Sequence, residues 1–324
     1  MKALRIIVLL IGLPILFFCA VVIGLNLFGE ESARVAILQQ VTPYLLLPAY
    51  LAFVAFFATK HWVLTAISAL VIFFHLFLVV PEIFSGQSSL TEAERKSTPV
   101  KVFSQNVMFD NKTPDAPAAA IRNANPDIIL LQEVTWQNWQ ALEATGVFAG
   151  YQYSFVSQAG TDGLAMWSKS PLSDTELLES KGFPTQRART VIGDKELTIY
   201  NVHTRAPVNG RSEYWYDDLA TLRNRLSRDS GPVLAAGDYN ASYQHPAFRA
   251  ILKAGFKDAA PASGHGLSRT WPLDRMGGGV FGGYVRLDHV LFNDRLKVSE
   301  YATAPGNGSD HNALRASLVF SSPE

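Results

Sequence analysis

Hydrophobic positions along this chain fall into two regimes. From Ile6 to Phe28 an uncharged apolar run of 23 residues is long enough to cross the roughly 30 Å hydrocarbon core of a bilayer as a helix. A second stretch begins near Val35 and is densest from Leu45 to Ala58, and a third runs from Trp62 to Val80. Residues 1–80 are therefore expected to form an anchor of three transmembrane helices. A cleaved signal peptide is the rival reading of the first run, but no clear small-residue cleavage site follows it and two further apolar runs do. Residues 81–99 turn polar, with Ser85-Gly86-Gln87-Ser88-Ser89 and Glu92-Ala93-Glu94-Arg95-Lys96, and read as a tether.

Beyond Pro99 short apolar runs alternate with amphipathic ones. Strands are expected over Val100–Asn106, Ile128–Gln132, Tyr151–Val156, Leu164–Ser168, Leu197–His203, Val233–Ala236, Val285–Phe292 and Leu314–Phe320. Helices are expected over Ala116–Asn125 and, most clearly, Tyr214–Arg228, where Leu219, Leu222 and Leu226 share one side. The pattern is that of one mixed α/β domain, residues 100–324, with many strands and few helices. No internal repeat stands out, although the order of elements would permit a two-layer duplication.

Charge refines this picture. Lys2 and Arg5 flank the first apolar run, Lys60 and His61 separate the second from the third, and Glu30 and Glu31 outnumber Arg34 in the intervening loop. The excess of basic residues in cytoplasmic loops then predicts a multi-pass cell (inner) membrane protein with its domain on the extracytoplasmic side. From Val100 onward 22 Lys and Arg face 23 Asp and Glu, which gives no electrostatic reason for tight non-specific nucleic-acid binding. The single cysteine, Cys19, permits no internal disulfide.

Polar residues with chemical potential collect at or just past the strand ends: Asn106, Glu133, His203, Asp238 with Asn240, and Asp310 with His311, while Asp288 lies in the strand before the last pair. Loops at strand ends can bring such groups into one pocket. Glu133 suits a hard divalent cation, since Mg²⁺ takes one or two carboxylates and keeps its waters. Asp238 and Asn240, two apart in extended geometry, point to the same side, though Gly-Asp-Tyr-Asn also suits a turn. Asp310-His311 sets an acceptor beside an imidazole able to exchange a proton near neutral pH, and Asp288 is placed to orient it. His289 faces the other way and is expected to be structural.

Taken in order, Ser-Gln-Asn106, Leu-Leu-Gln-Glu133, Tyr-Asn-Val-His203, Gly-Asp238-Tyr-Asn240, Arg-Leu-Asp288-His and Ser-Asp310-His311 resemble the endonuclease/exonuclease/phosphatase superfamily over about Val100 to Phe320. Each motif is weak alone; six in order are specific. The resemblance implies a four-layer sandwich of two mixed β-sheets flanked by helices. It implies that Glu133 and Asn106 hold Mg²⁺, with Mn²⁺ as the alternative, and that Asp310 is a further metal or phosphate-site acid. Asp238 would position the attacking water and Asn240 a phosphoryl oxygen; His311, oriented by Asp288, would act on the phosphate or as base. His203 would assist the leaving oxygen, with Asp162 as its orienting partner. Arg205 and Arg211 are candidates for binding a phosphate or head group, a solvated loop being the alternative, and Met276–Gly283 for a lid or a membrane-facing tip, plain flexibility being the alternative.

The expectation is thus a membrane-anchored, divalent-metal-dependent phosphoester hydrolase. Its substrate would be nucleic acid, as for a phosphodiesterase or endonuclease, or a phospholipid or lipid-linked phosphate. A non-catalytic binding module on the same fold is the third reading. Membrane lipid is the expected partner through three spans, and no protein partner is inferred.

Overall fold

The computed structural model describes residues 2–29, 32–84, 89–157, 160–208, 210–273 and 282–322. Glu30, Glu31, the Ser85–Ser88 part of the expected tether and the Met276–Phe281 part of the expected loop lie outside them.

The apolar N-terminal region folds as α1 (Lys2–Phe28), α2 (Ala33–Leu45), α3 (Pro48–Ala58) and α4 (Trp62–Ile83). Among the described residues, α1 and α4 are each long and apolar enough to cross a membrane, and α2 with α3 makes a third such unit, bent by 44°. The break falls at Leu46-Leu47, between Pro43 and Pro48, which remove backbone donors and clash with a continuing helix. With 11 residues, α3 is only about 16 Å long. The more polar α2 lies against the following domain, where the Ala36 carbonyl meets His245 Nε2 at 2.9 Å. At the opposite end of the bundle Arg5 Nε donates to the Thr59 carbonyl at 3.0 Å, which brings Arg5 beside the Thr59-Lys60-His61 turn.

The segment expected as a tether is partly built into both neighbours. Pro81–Ile83 form the last turn of α4, and Glu92–Lys96 form α5, capped by a reciprocal Thr91–Glu94 box. Glu94 is buried and accepts from Lys297 Nζ at 2.9 Å and from the Ser322 backbone at 3.0 Å.

The domain proper runs β1 (Val100–Asn106), α6 (Pro117–Ala124), β2 (Ile128–Gln132), α7 (Trp136–Ala144), β3 (Tyr153–Ser157), β4 (Leu164–Ser168), β5 (Leu172–Leu178), β6 (Thr185–Ile192) and β7 (Lys195–His203). It continues with α8 (Ser212–Leu226), β8 (Val233–Asp238), α9 (Pro246–Lys253), β9 (Phe256–Asp258), α10 (Ala259–Ala262), β10 (Asp288–Asn293), β11 (Leu296–Ala304) and β12 (Ala313–Phe320). Two six-stranded sheets result, in the orders β11-β12-β1-β2-β4-β3 and β5-β6-β7-β8-β10-β9. Each has one parallel pair at its centre, β1 with β2 and β7 with β8, and antiparallel pairs elsewhere. The two sheets thus share one strand pattern, the two-layer arrangement that the order of elements permits.

Inner faces of the sheets meet through Val102, Leu130 and Met166 from one and Ile199, Leu234 and Val290 from the other. Outside the first sheet Ile121 of α6 and Leu142 of α7 cover Phe103, Ile129 and Leu131; outside the second, Leu219, Leu222 and Leu226 of α8 join Phe248 of α9. Strands covered on both faces read as continuous apolar runs, which is why β2 and β4 have the boundaries their sequence predicts. A buried amide bridge fixes the sheets to each other: Gln132 Nε2 donates to Asn201 Oδ1 at 2.7 Å, and Asn201 Nδ2 to the Leu131 carbonyl at 3.0 Å. The strand expected from Val285 begins only at Asp288, because Val285 pairs instead with Trp271.

Candidate active site

Parallel strands bring their carboxyl ends to one edge, and both central pairs do so here. In the first sheet Asn106 stands opposite Gln132, with Glu133 just beyond. In the second, His203 stands opposite Asp238 and Asp238 opposite Asp288. The loop before β12 closes the ring, tied down by Ser309 Oγ, which donates to the Asn106 carbonyl at 2.6 Å.

Hydrogen bonds fix most of these side chains. Asn106 Nδ2 bridges Glu133 Oε1 at 2.9 Å and Asp238 Oδ2 at 3.1 Å, joining the two sheets' acids. The other Glu133 oxygen accepts from the Phe109 backbone at 2.9 Å. Glu133 and Asn240 both adopt left-handed backbone, at φ 58° and 44°, a conformation tolerated where surrounding structure holds it. Gly237 precedes Asp238 with φ 147°, and a Cβ there would lie 1.9 Å from the Val202 carbonyl oxygen. Only glycine allows β7 and β8 to approach this closely.

His311 Nδ1 lies 2.8 Å from Asp288 Oδ2, and its Nε2 3.7 Å from Asp238 Oδ2 and 3.9 Å from Asp310 Oδ1. A carboxylate can only accept, so Nδ1 carries the proton. Burial works against the His311 imidazolium, but Asp288, Asp238 and Asp310 together outweigh it and push its pKa up to about 10. Asp238 is raised to about 6, chiefly by burial and then by Asp288, with His311 and His203 opposing. Burial likewise raises Glu133 and lowers His203. His203 Nε2 sits 3.9 Å from Glu133 Oε1 and 4.0 Å from Asp238 Oδ2.

These groups line a cleft of about 630 Å³, with Arg205 and Arg211 on its wall. The Arg205 guanidinium lies over the rings of Phe183 and Tyr214, at 5.2 and 5.7 Å. Asn240 Nδ2 is held by the Thr204 carbonyl at 2.9 Å and reaches Asp238 Oδ2 at 3.3 Å, so its amide also steadies the neighbouring acid. Asp162 makes no hydrogen bond to His203, whose buried Nδ1 has no partner among the described residues; its carboxylate acts on His203 only through its charge.

The donor set fits a divalent cation. Glu133, Asp238, Asp288 and Asp310 supply hard carboxylate oxygens, the kind Mg²⁺ and Mn²⁺ prefer. His311 is the cationic imidazole among them, His203 being held neutral by burial, so negative charge is in excess within the ring. The buried Asp288 Oδ1 has no hydrogen-bond partner among the described residues, and the Asp238 and Asp288 oxygens lie within 4.8 Å of each other, while His311, as an imidazolium, has no lone pair to offer a metal.

Three contributors were given no role by the sequence, although Arg286 opens the Arg-Leu-Asp288-His motif. Trp271 Nε1 donates to Asp310 Oδ2 at 3.0 Å and so aims that acid. Asp218 accepts from Ser180 Oγ and from the Gly182, Phe183 and Arg205 backbones at 2.7 to 3.0 Å, folding the rim against α8. Arg286, wholly buried, donates to the Gly266 carbonyl at 2.9 Å and pairs with Asp258 at 3.2 Å and with Glu82 of α4 at 3.6 Å. The Trp271-Pro272 dipeptide and the motif around Arg286 are local signals, but what Arg286 and Asp218 do depends on distant partners. His289, expected to be structural, is indeed turned away from the site, between Asp258 Oδ2 and the Ala241 carbonyl, each at 2.8 Å.

Two mixed sheets packed face to face, with acids and imidazoles gathered at the ends of both parallel pairs, define the four-layer α/β sandwich found among phosphoester hydrolases. The chain belongs to the Endonuclease/Exonuclease/phosphatase family, whose model matches residues 103–311; that family consists generally of metal-dependent phosphoester hydrolases. Among solved structures it is similar to D. rerio TDP2 complexed with single strand DNA product, at 16% identity and TM-score 0.56, over 68% of this chain and 99% of that one. It is also similar to family proteins from Leptotrichia buccalis, at 19% and 0.55 over 68% and 100% of the two chains, and Bacteroides vulgatus, at 16% and 0.57 over 69% and 100%. At these identities the likeness speaks for the fold. Among curated proteins, no sequence matches this chain.

Proposed function

We propose that this protein is a membrane-anchored, divalent-metal-dependent hydrolase of phosphoesters. The observation that carries the reading is the Asp288–His311–Asp238 array beside Glu133 and Asn106: an imidazole hydrogen-bonded to Asp288 and kept protonated by the acids around it, next to a carboxyl raised to about 6. Mg²⁺ or Mn²⁺ would be held by Glu133, Asn106 and Asp310, and when bound supplies charge neutralisation at the phosphoryl group. Asp238 orients the attacking water and takes its proton. His311, protonated at neutral pH, donates from Nε2 to a phosphoryl oxygen, which favours its phosphate-binding role over that of a base. Asn240 borders the same cleft with its amide on Asp238, and His203 would assist the leaving oxygen. One P–O bond forms from water, the ester P–O bond breaks, and the proton passes to the departing alkoxide.

The anchor reading rests on α1, on α4 and on the bent α2–α3 pair. Arg5 and Lys60 share one end of the bundle while Ala36 and Glu82 meet the domain at the other, which supports a domain on the extracytoplasmic side of the cell membrane.

The test is hydrolysis of bis(4-nitrophenyl) phosphate by the full chain in detergent, with Mg²⁺ or with EDTA. Turnover is expected only with metal and is expected to fall at least about a hundredfold in Asp238→Asn. Metal-independent turnover, or an unaffected variant, would overturn the proposal.

A further inference from the structure

A second cavity, of about 470 Å³, opens beside the active-site cleft and shares Ala206, Val208, Asn240 and Trp271 with it. Its volume is that of a small-ligand pocket, yet its character is unlike the polar site next door. One wall is α2, contributing Ile37, Val41 and Tyr44; the other is the domain, contributing Pro207, Val285 and Leu287. Leu287 immediately precedes Asp288, so the apolar wall and the acid that holds His311 are consecutive residues.

What belongs in this cavity follows from where it leads. The half-buried Val41 and the exposed Ile37 stand on the helix that bends directly into α3, whose Leu51, Val54 and Phe57 are all exposed and would face hydrocarbon in a membrane. Tyr44, Trp271 and Tyr284 ring the passage, and amphipathic aromatics are the side chains that settle at the boundary between hydrocarbon and water. Tyr44 Oη donates to the Tyr284 carbonyl, which closes α2 onto the domain without filling the space behind it. The cavity therefore lies between the cleft of Asp238 and His311 and the helix that leads into this apolar surface.

We infer that the substrate is an amphiphilic phosphoester whose hydrocarbon chain lies between α2 and Leu287 while its phosphate occupies the cleft of Asp238 and His311. The inference rests on the hydrolase reading above and specifies its substrate class. A nucleic-acid strand needs a track of cationic side chains, whereas the wall continuous with this site is hydrocarbon.

The experiment uses the full chain in lipid nanodiscs with Mg²⁺ and a homologous series of alkyl 4-nitrophenyl phosphodiesters, methyl to octyl. In the wild type kcat/KM is expected to rise about fourfold per added methylene until the cavity is filled. Ile37→Trp and Val41→Trp, which fill the cavity from α2 and do not line the active-site cleft, are expected to flatten that rise while leaving the methyl ester unchanged. Ile37 is exposed, so its variant guards against a folding defect in the other. A flat wild-type series would overturn the inference and mean that protein atoms occupy the cavity. An equal slope in wild type and both variants would overturn it too, as partitioning into lipid alone gives that result. Faster cleavage of a DNA or RNA oligonucleotide than of the octyl ester would overturn it in favour of nucleic acid. Failure to hydrolyse even the methyl ester would overturn the hydrolase reading and this inference together; turnover without chain-length dependence would overturn this inference alone.

Discussion

At the scale of residues, the site's logic is the separation of two protonation states within a few ångströms. Asp238 must be ionised to take a proton, and its pKa is raised to about 6, so activity should fall as pH drops through about 6. His311 must be protonated to donate, and its pKa is raised to about 10, so activity should fall again above about 10. Both limbs belong to the coupled cluster rather than to single groups. Asp288→Asn keeps a similar shape but removes the nearest stabilising charge, so the alkaline limb should move toward neutral pH and kcat/KM should drop roughly 10²- to 10⁴-fold. A pH–rate profile of wild type and variant checks this; an unmoved alkaline limb would separate His311 from Asp288. The main acids and imidazoles were readable because they stand at strand ends. Trp271 and Asp218 were not, nor was the part played by Arg286 within its own motif, since each works through partners distant in the chain, and Asp162 lacks the hydrogen bond to His203 that its assigned role would need.

Elements connect the N-terminal helices to this chemistry. Glu82, in the last turn of α4, is buried among Gln244, Arg269 and Arg286, and a Cβ on Gly266 would lie 2.0 Å from its carbonyl oxygen. Glu82→Ala leaves the buried Arg286 with Asp258 as its remaining acid, which should cost about 3 kcal/mol. The loss should appear as a lower Tm of the full chain, together with reduced turnover, because Arg286 lies two residues before Asp288. Thermal unfolding and a rate assay on one preparation check both; an unchanged Tm would mean that helix and domain are not coupled here. Strand legibility follows burial: β1, β2 and β4 are apolar inside and were delimited by sequence. Leu172–Leu178 is mostly exposed and Thr185–Ile192 is rich in polar side chains, so β5 and β6 gave no apolar signal. The α2–α3 break likewise hid inside a continuous apolar run.

For the whole molecule, sheet topology and the docking of the N-terminal helices act together. The sandwich repeats one strand pattern in two sheets, and the amide bridge from Gln132 to Asn201 holds their edges in register, so acids from opposite sheets meet through Asn106. The four-layer arrangement came from the order of six motifs rather than from periodicity, which alone indicated a mixed α/β domain. Docking of α2 and α4 on the domain left no trace in local sequence because it depends on pairings such as Ala36 with His245 and Glu82 with Arg286. The central claim is that Glu133 brings a divalent cation to a phosphoester beside Asp238 and His311. Its most direct test is the rate of phosphodiester hydrolysis by the full chain as Mg²⁺ is titrated, in wild type and in Glu133→Gln. The account predicts that the variant requires at least about tenfold to a hundredfold more Mg²⁺ and turns over more slowly at saturation; superimposable titration curves would contradict it.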